Sequence, residues 1–141
     1  MSKATLYSDG GARGNPGPAA IGFVLDIVDG DVIKHGEYVG AKTNNQAEYL
    51  ALKAGLLWAL QAGVDEISCF LDSELVVKQL AGEYRVKDAK LKELFFDVEQ
   101  LREQFGQIEF KHVPREKNKE ADRLLNEALD KNTPRFRSGV F

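Results

Sequence analysis

Apolar and polar residues change their spacing several times along the chain, and these changes predict its elements. Residues 4–8 (Ala-Thr-Leu-Tyr-Ser) are β-prone and stop at Asp9-Gly10-Gly11, which predicts a short first strand. Residues 10–18 hold four glycines and two prolines and read as a loop or tight turn. Apolar runs at 20–28 and 32–39 flank Asp29-Gly30-Asp31, a hairpin signal, so the first forty residues form an antiparallel meander. Residues 47–62 are apolar on most sides. This predicts a helix capped by Thr43 or Asn44, ended by Gly63, and buried against more than one neighbour. Residues 67–71 form a fourth strand that ends at Asp72-Ser73, and 73–81 a short helix broken by Gly82. Leu91, Leu94, Phe95, Val98, Leu101 and Phe105 keep helical spacing over 88–105. Ile108, Phe110 and His112 alternate with Glu109 and Lys111 as a fifth strand that Pro114 ends. Asn118 opens a last helix with Ala121, Leu124, Leu125, Ala128 and Leu129 inward.

The order βββαβααβα, hairpin strands first and strands alternating with helices afterwards, implies an α/β fold: one mixed five-stranded sheet with helices on its faces. Residues 1–131 read as one domain and 132–141 as an irregular C-terminal tail, whose Phe136, Val140 and Phe141 are expected to dock on the sheet. The length of 141 residues suits a single domain with a real core, and 43% hydrophobic with 29% charged residues excludes wholesale disorder. Cys69 is the single cysteine, so an internal disulfide and a multi-cysteine zinc cage are excluded. No run approaches the ~18 apolar residues of a membrane span, and Met1-Ser2-Lys3-Ala4 lacks a signal-peptide core. The reading is therefore a soluble, cytoplasmic chain without a membrane partner. The net charge of −3 argues mildly against nucleic acid, although residues 111–137 carry eight basic against five acidic residues.

Four acids stand out by position. Asp9 ends the first predicted strand and Asp72 the fourth; if those strands are parallel neighbours, the two aspartates sit side by side. Glu48 heads a stripe of Leu52, Gly55 and Ala59, an inward face where an unpaired charge is costly. Asp122 heads Leu125 and Leu129 in the same way. Singly, Asp9 also reads as a turn residue, Asp72 as a helix cap and Asp122 as a first-turn acid. Converging at one sheet end, the four need cations, and oxygen-only ligands suit Mg²⁺ or Mn²⁺ better than zinc. The glycine-rich loop lacks a phosphate-binding fingerprint, yet beside such a site its backbone suits a phosphodiester or sugar edge. Cys69 and the stripe at 91–105 read as core, and His35 carries no signal.

At these residues the chain resembles ribonuclease H type 1. The matching segments are Tyr7-Ser8-Asp9-Gly10-Gly11-Ala12-Arg13-Gly14-Asn15-Pro16-Gly17-Pro18, Thr43-Asn44-Asn45-Gln46-Ala47-Glu48-Tyr49, Leu71-Asp72-Ser73 and Asn118-Lys119-Glu120-Ala121-Asp122-Arg123-Leu124, in the family's order over nearly the whole chain. The resemblance implies the ribonuclease H-like sheet and hydrolysis of the RNA strand of an RNA/DNA hybrid, leaving 5′-phosphate and 3′-hydroxyl ends. It implies two Mg²⁺ ions, with Mn²⁺ as a substitute. Asp9 would bridge both ions, Asp122 would complete the ion serving the attacking water, and Glu48 and Asp72 would hold the ion at the leaving oxygen. It implies substrate contacts from Gly10, Gly11, Asn15, Asn44, Asn45 and Gln46, with the amides reading 2′-hydroxyls, and a phosphate contact from Thr43. Duplex RNA is left open as a second substrate, and a monomer is expected.

Two departures from the family pattern follow. Residues 113–118 run straight into the last helix, too short for the loop that carries a catalytic histidine in many members. His112 lies at the strand end instead, so Arg115, Glu116 and Lys117 are the local candidates for an auxiliary role, with His112 behind them. Residues 82–92 offer only Arg85, Lys87, Lys90 and Lys92 in place of a longer basic insertion, which implies weaker substrate affinity. A catalytically silent binding domain and a nuclease acting on DNA are the competing readings. Retention of all four acids argues against the first, and the Asn44-Asn45 pair against the second.

Overall fold

The computed structural model describes residues 2–132. Five strands, β1 (Ser2–Ala12), β2 (Gly17–Ile27), β3 (Val32–Lys42), β4 (Val64–Leu71) and β5 (Gln107–His112), form one sheet in the order β3-β2-β1-β4-β5. The first three pair antiparallel, while β4 pairs parallel with β1 and β5 parallel with β4. Helices α1 (Asn44–Gln61), α2 (Glu74–Leu80), α3 (Ala89–Arg102) and α4 (Lys119–Asn132) complete the expected order, with an additional single 3-10 turn at Arg115–Lys117.

Strand β1 is longer than its sequence pattern predicts. The expected turn at Asp9-Gly10-Gly11 is strand, paired through to Ala12 with residues 19–22 of β2, and only residues 13–16 remain as the connection. Gly10 is there for close approach rather than for turning, whereas Gly14 in the connection does turn, at φ +96°. A Cβ on Gly10 would run into the backbone carbonyl of Ala47 in the first turn of α1. One on Gly22 would run into the Ala121 carbonyl of α4. Both helices thus lie nearer the sheet than any side chain permits.

Helix α1 packs on β1 and β2 and is covered in turn by α3, as its nearly continuous apolar surface predicts. Leu6, Phe23, Leu25, Leu52, Leu56, Cys69 and Val98 are fully buried between these layers. Leu57 and Trp58 escape, each 41% exposed, so α1 is not buried all round. The Trp58 ring lies 5.7 Å from His35 on the edge strand. Helix α4 covers the opposite face over β2 and β3, with Leu125, Ala128 and Leu129 on Ala20.

Caps fix where the helices start. Thr43 and Gln46 form a reciprocal box at α1: the Gln46 N–H donates to Thr43 Oγ1 at 3.1 Å, and the Thr43 N–H donates to Gln46 Oε1 at 2.9 Å. Ser73 and Asp88 cap α2 and α3. Helix α4 takes in Asn132, one residue beyond the expected domain limit at 131. The expected docking of Phe136, Val140 and Phe141 lies outside the described residues. Among the described residues, no helix is long and apolar enough to cross a membrane.

Candidate active site

Parallel pairing of β1 and β4 sets Ser8 opposite Leu71, so the next residues, Asp9 and Asp72, emerge side by side at one sheet edge. Close contact between α1 and Gly10 brings Glu48 to the same place, where its Oε1 accepts the Gly10 N–H at 2.5 Å. One ligating oxygen each from Asp9, Glu48 and Asp72 lies within 4.8 Å of the others. Asp122, on the first full turn of α4, faces the same cleft from the other side but stands outside this tight cluster. Two of the acids are deeply set, with Asp9 7% and Glu48 8% exposed.

Asn118 ties these pieces together. Fully buried just before α4, it donates from Nδ2 to the Ser8 carbonyl at 2.8 Å and to Asp72 Oδ2 at 3.4 Å, while its own carbonyl accepts the Asp122 N–H. Its side chain therefore ties Asp72 to β1, and its backbone carbonyl anchors the start of α4. Reading Asn118 only as the opening of a helix misses this role, because its partners lie far away in sequence.

The electrostatics follow from burial and like charge. Burial first, then the neighbouring Glu48 and Asp72 carboxylates, push Asp9 far above the ordinary carboxylate range. Burial also raises Glu48, opposed by the Gly10 N–H. Burial raises Asp72 too, offset by the Asn118 amide and by the charge of Arg115. Protein groups alone leave this cluster short of positive charge. A hard divalent cation, which prefers oxygen ligands, fits a donor set of this composition and spacing.

That imbalance makes stability depend on pH. A carboxyl that binds its proton more tightly folded than unfolded costs stability as pH rises from its unfolded value toward its raised native value. In EDTA the Tm should therefore fall between about pH 5 and about pH 8. Millimolar Mg²⁺ should restore it increasingly over the same interval, because the ion takes the place of the protons. Thermal scans with and without metal check this; curves that stay parallel at all pH would contradict the metal assignment.

The glycine-rich connection joins the cleft to the cap of α1. Ala12 N–H donates to Asn44 Oδ1 at 2.8 Å, and Asn44 N–H donates to Asn15 Oδ1 at 3.0 Å. Gly10, Gly11, Asn44 and Asn45 line the cleft. Thr43 and Gln46 stand just behind, with the Thr43 hydroxyl and the Gln46 carbonyl engaged in the capping box. Of the auxiliary candidates, Arg115 lines the cleft and lowers both Glu48 and Asp72. Glu116 is exposed on the 3-10 turn. His112 is exposed at the end of β5, near enough for its charge to lower Asp72. Arg13, quoted above only as part of a motif, also lines the cleft.

The chain is similar to known proteins in sequence and fold. A reverse transcriptase-like family profile matches residues 7–128. A bifunctional protein of Mycobacterium tuberculosis is 42% identical over 130 residues, covering 91% of this chain but only 36% of its own length. A ribonuclease HI of Halobacterium salinarum is 46% identical over 125 residues, covering 88% of this chain and 63% of its own. The chain thus spans from about a third to under two thirds of these relatives. The solved structure of LC11-RNase H1 in complex with an RNA/DNA hybrid superimposes with a TM-score of 0.85 at 43% identity, covering 93% of this chain and 99% of that one.

Proposed function

The chain belongs to the ribonuclease H type 1 family, and from that premise we propose that it is an endonuclease that hydrolyses the RNA strand of RNA/DNA hybrids. The observation that carries the proposal is the trio of carboxylates from β1, α1 and the end of β4 with oxygens inside 4.8 Å, at the floor of an open cleft. Asp9, Glu48, Asp72 and Asp122 would hold two Mg²⁺ ions, or Mn²⁺ in their place. Bound divalent cations supply Lewis acidity toward the attacked phosphate and neutralise the charge that develops on it, in a displacement leaving 5′-phosphate and 3′-hydroxyl ends.

The chain's own groups do the positioning. The Gly10 N–H holds Glu48 in one orientation, and Asn118 holds Asp72. Both restraints are set before substrate arrives, which lowers the cost of reaching the reactive geometry. Arg115 adds positive charge that favours the ionised forms of Glu48 and Asp72, in the segment where many family members carry a histidine loop.

Strand choice follows from the amides. The oxygens of Asn15 and Asn44 are engaged by backbone N–H groups, so their Nδ2 groups are the donors left to face a ligand. Donors at that position suit the 2′-hydroxyl oxygens and base-edge acceptors of a wide minor groove, features that separate RNA from DNA.

Initial rates on matched hybrid, duplex RNA and duplex DNA test the proposal. Hybrid should be cleaved fastest and duplex DNA not at all. Duplex DNA cut as fast as hybrid, or no metal-dependent cleavage of any of the three, would overturn it.

A further inference from the structure

We infer that Arg13 grips a phosphate of the nucleic-acid strand crossing the cleft, exchanging its surface ion pair with Asp130 for that contact. The inference rests on the hybrid-cleaving reading of the same cleft.

Among the described residues, six charged side chains line the cleft: the acids Asp9, Glu48, Asp72 and Asp122, and the cations Arg13 and Arg115. A polyanion laid over four acids needs fixed positive charge on either side of them. Arg115 supplies it beside Glu48 and Asp72. Arg13 stands elsewhere. Its Nη2 pairs with Asp130 at 2.8 Å and reaches Asn126 Oδ1 at 3.5 Å. Those partners lie four and eight residues beyond Asp122 on α4, which at 1.5 Å per residue is roughly 6–12 Å along the helix.

The pair is built to be exchanged. Its side chains are 43% and 45% exposed, so solvent screens the pair and a phosphate can replace the carboxylate at little cost. Among the described residues, Arg13 meets Asp130 and Asn126 through Nη2, and the guanidinium's other edge, Nε and Nη1, suits a second, parallel hydrogen bond to phosphate. The backbone beneath is anchored. Arg13 N–H donates to the Pro18 carbonyl at 2.8 Å, and its neighbour Ala12 is bonded to Asn44. Arg13 thereby shares one tethered connection with the amide donors of Asn15 and Asn44.

Steady-state kinetics on an RNA/DNA hybrid across a range of salt concentrations test this with Arg13→Ala, Arg13→Lys and Asp130→Asn. In Arg13→Ala, KM should rise about tenfold with kcat within about twofold, one lost charge-assisted contact. The slope of log(kcat/KM) against log[salt] should become shallower by about one. Arg13→Lys should keep the slope and lose part of the affinity, and Asp130→Asn should leave KM at or below the wild-type value. Arg13→Ala with unchanged KM and slope would overturn the inference. So would Asp130→Asn reproducing the rise in KM, which would make the pair a structural latch. Failure of the wild-type protein to cleave hybrid would instead sink the reading on which the inference rests.

Discussion

Replacing Asp9 by Asn should abolish metal-dependent cleavage while leaving the protein folded and, without metal, more stable. The substitution preserves shape and volume but removes one charge from the centre of the cluster. A lost ligand at that position takes away several kcal/mol of charge stabilisation, so kcat should fall by about 10³-fold or more. Stability should move the other way. Asp9 is raised by burial and by the charges of Glu48, Asp72 and Asp122, all of which oppose its ionised form. A neutral amide removes that conflict and still offers a hydrogen bond to Glu48. In EDTA at about pH 8 the variant should therefore melt above wild type, and its Tm should depend less on pH. Cleavage near the wild-type rate would refute the role assigned to Asp9. A variant melting below wild type at high pH would refute the electrostatic account.

Gly10→Ala should damage stability and activity together. The added methyl would meet the Ala47 carbonyl and the Glu48 nitrogen, which are backbone atoms of a helix pinned between the sheet and α3. No rotamer change relieves that clash, so β1 and α1 must separate. Overpacking of this kind costs about 1–3 kcal/mol, visible as a drop of several degrees in Tm. The same separation lengthens the Gly10 N–H bond to Glu48 and shifts that carboxylate from Asp9 and Asp72. Misplacement on the order of 1 Å costs roughly 10²-fold in rate, so kcat should fall well beyond what the lost stability explains. Rates measured far below the variant's Tm separate the two effects. Wild-type kcat with a lowered Tm would show that Gly10 serves packing alone.

Much of this molecule is legible one segment at a time. Apolar runs, alternation at 108–112, helical spacing and turn residues mark five strands and four helices in order, because burial and chain reversal leave local signals. Glu48 is conspicuous because an acid on an apolar stripe has no local reason to be there. Local reading fails where a residue's reason lies across the fold. Gly10 and Gly11 look like a turn, since glycine is what turns need, whereas Gly10 sits in a strand to make room for the Ala47 carbonyl. Gln46, taken with its asparagine neighbours as a substrate contact, has its carbonyl engaged in the box with Thr43, a threonine-to-glutamine spacing already present in the sequence. Nothing near Asn118 or Arg13 announces their partners, which are 110 residues away at Ser8 and 117 away at Asp130.

The sequence by itself determined the element order, the buried faces and four acids at the ends of elements, since these follow from the chemistry of neighbouring residues. It also carried the family's motifs. Only the tertiary structure decided that residues 9, 48 and 72 meet and that 122 faces the same cleft. That depends on the parallel register of β1 with β4 and on two helices that approach the sheet over bare glycine backbone. The perturbed protonation of the cluster arises there as well: each acid alone is an ordinary surface carboxylate, and only shared burial with like charges makes the set demand cations.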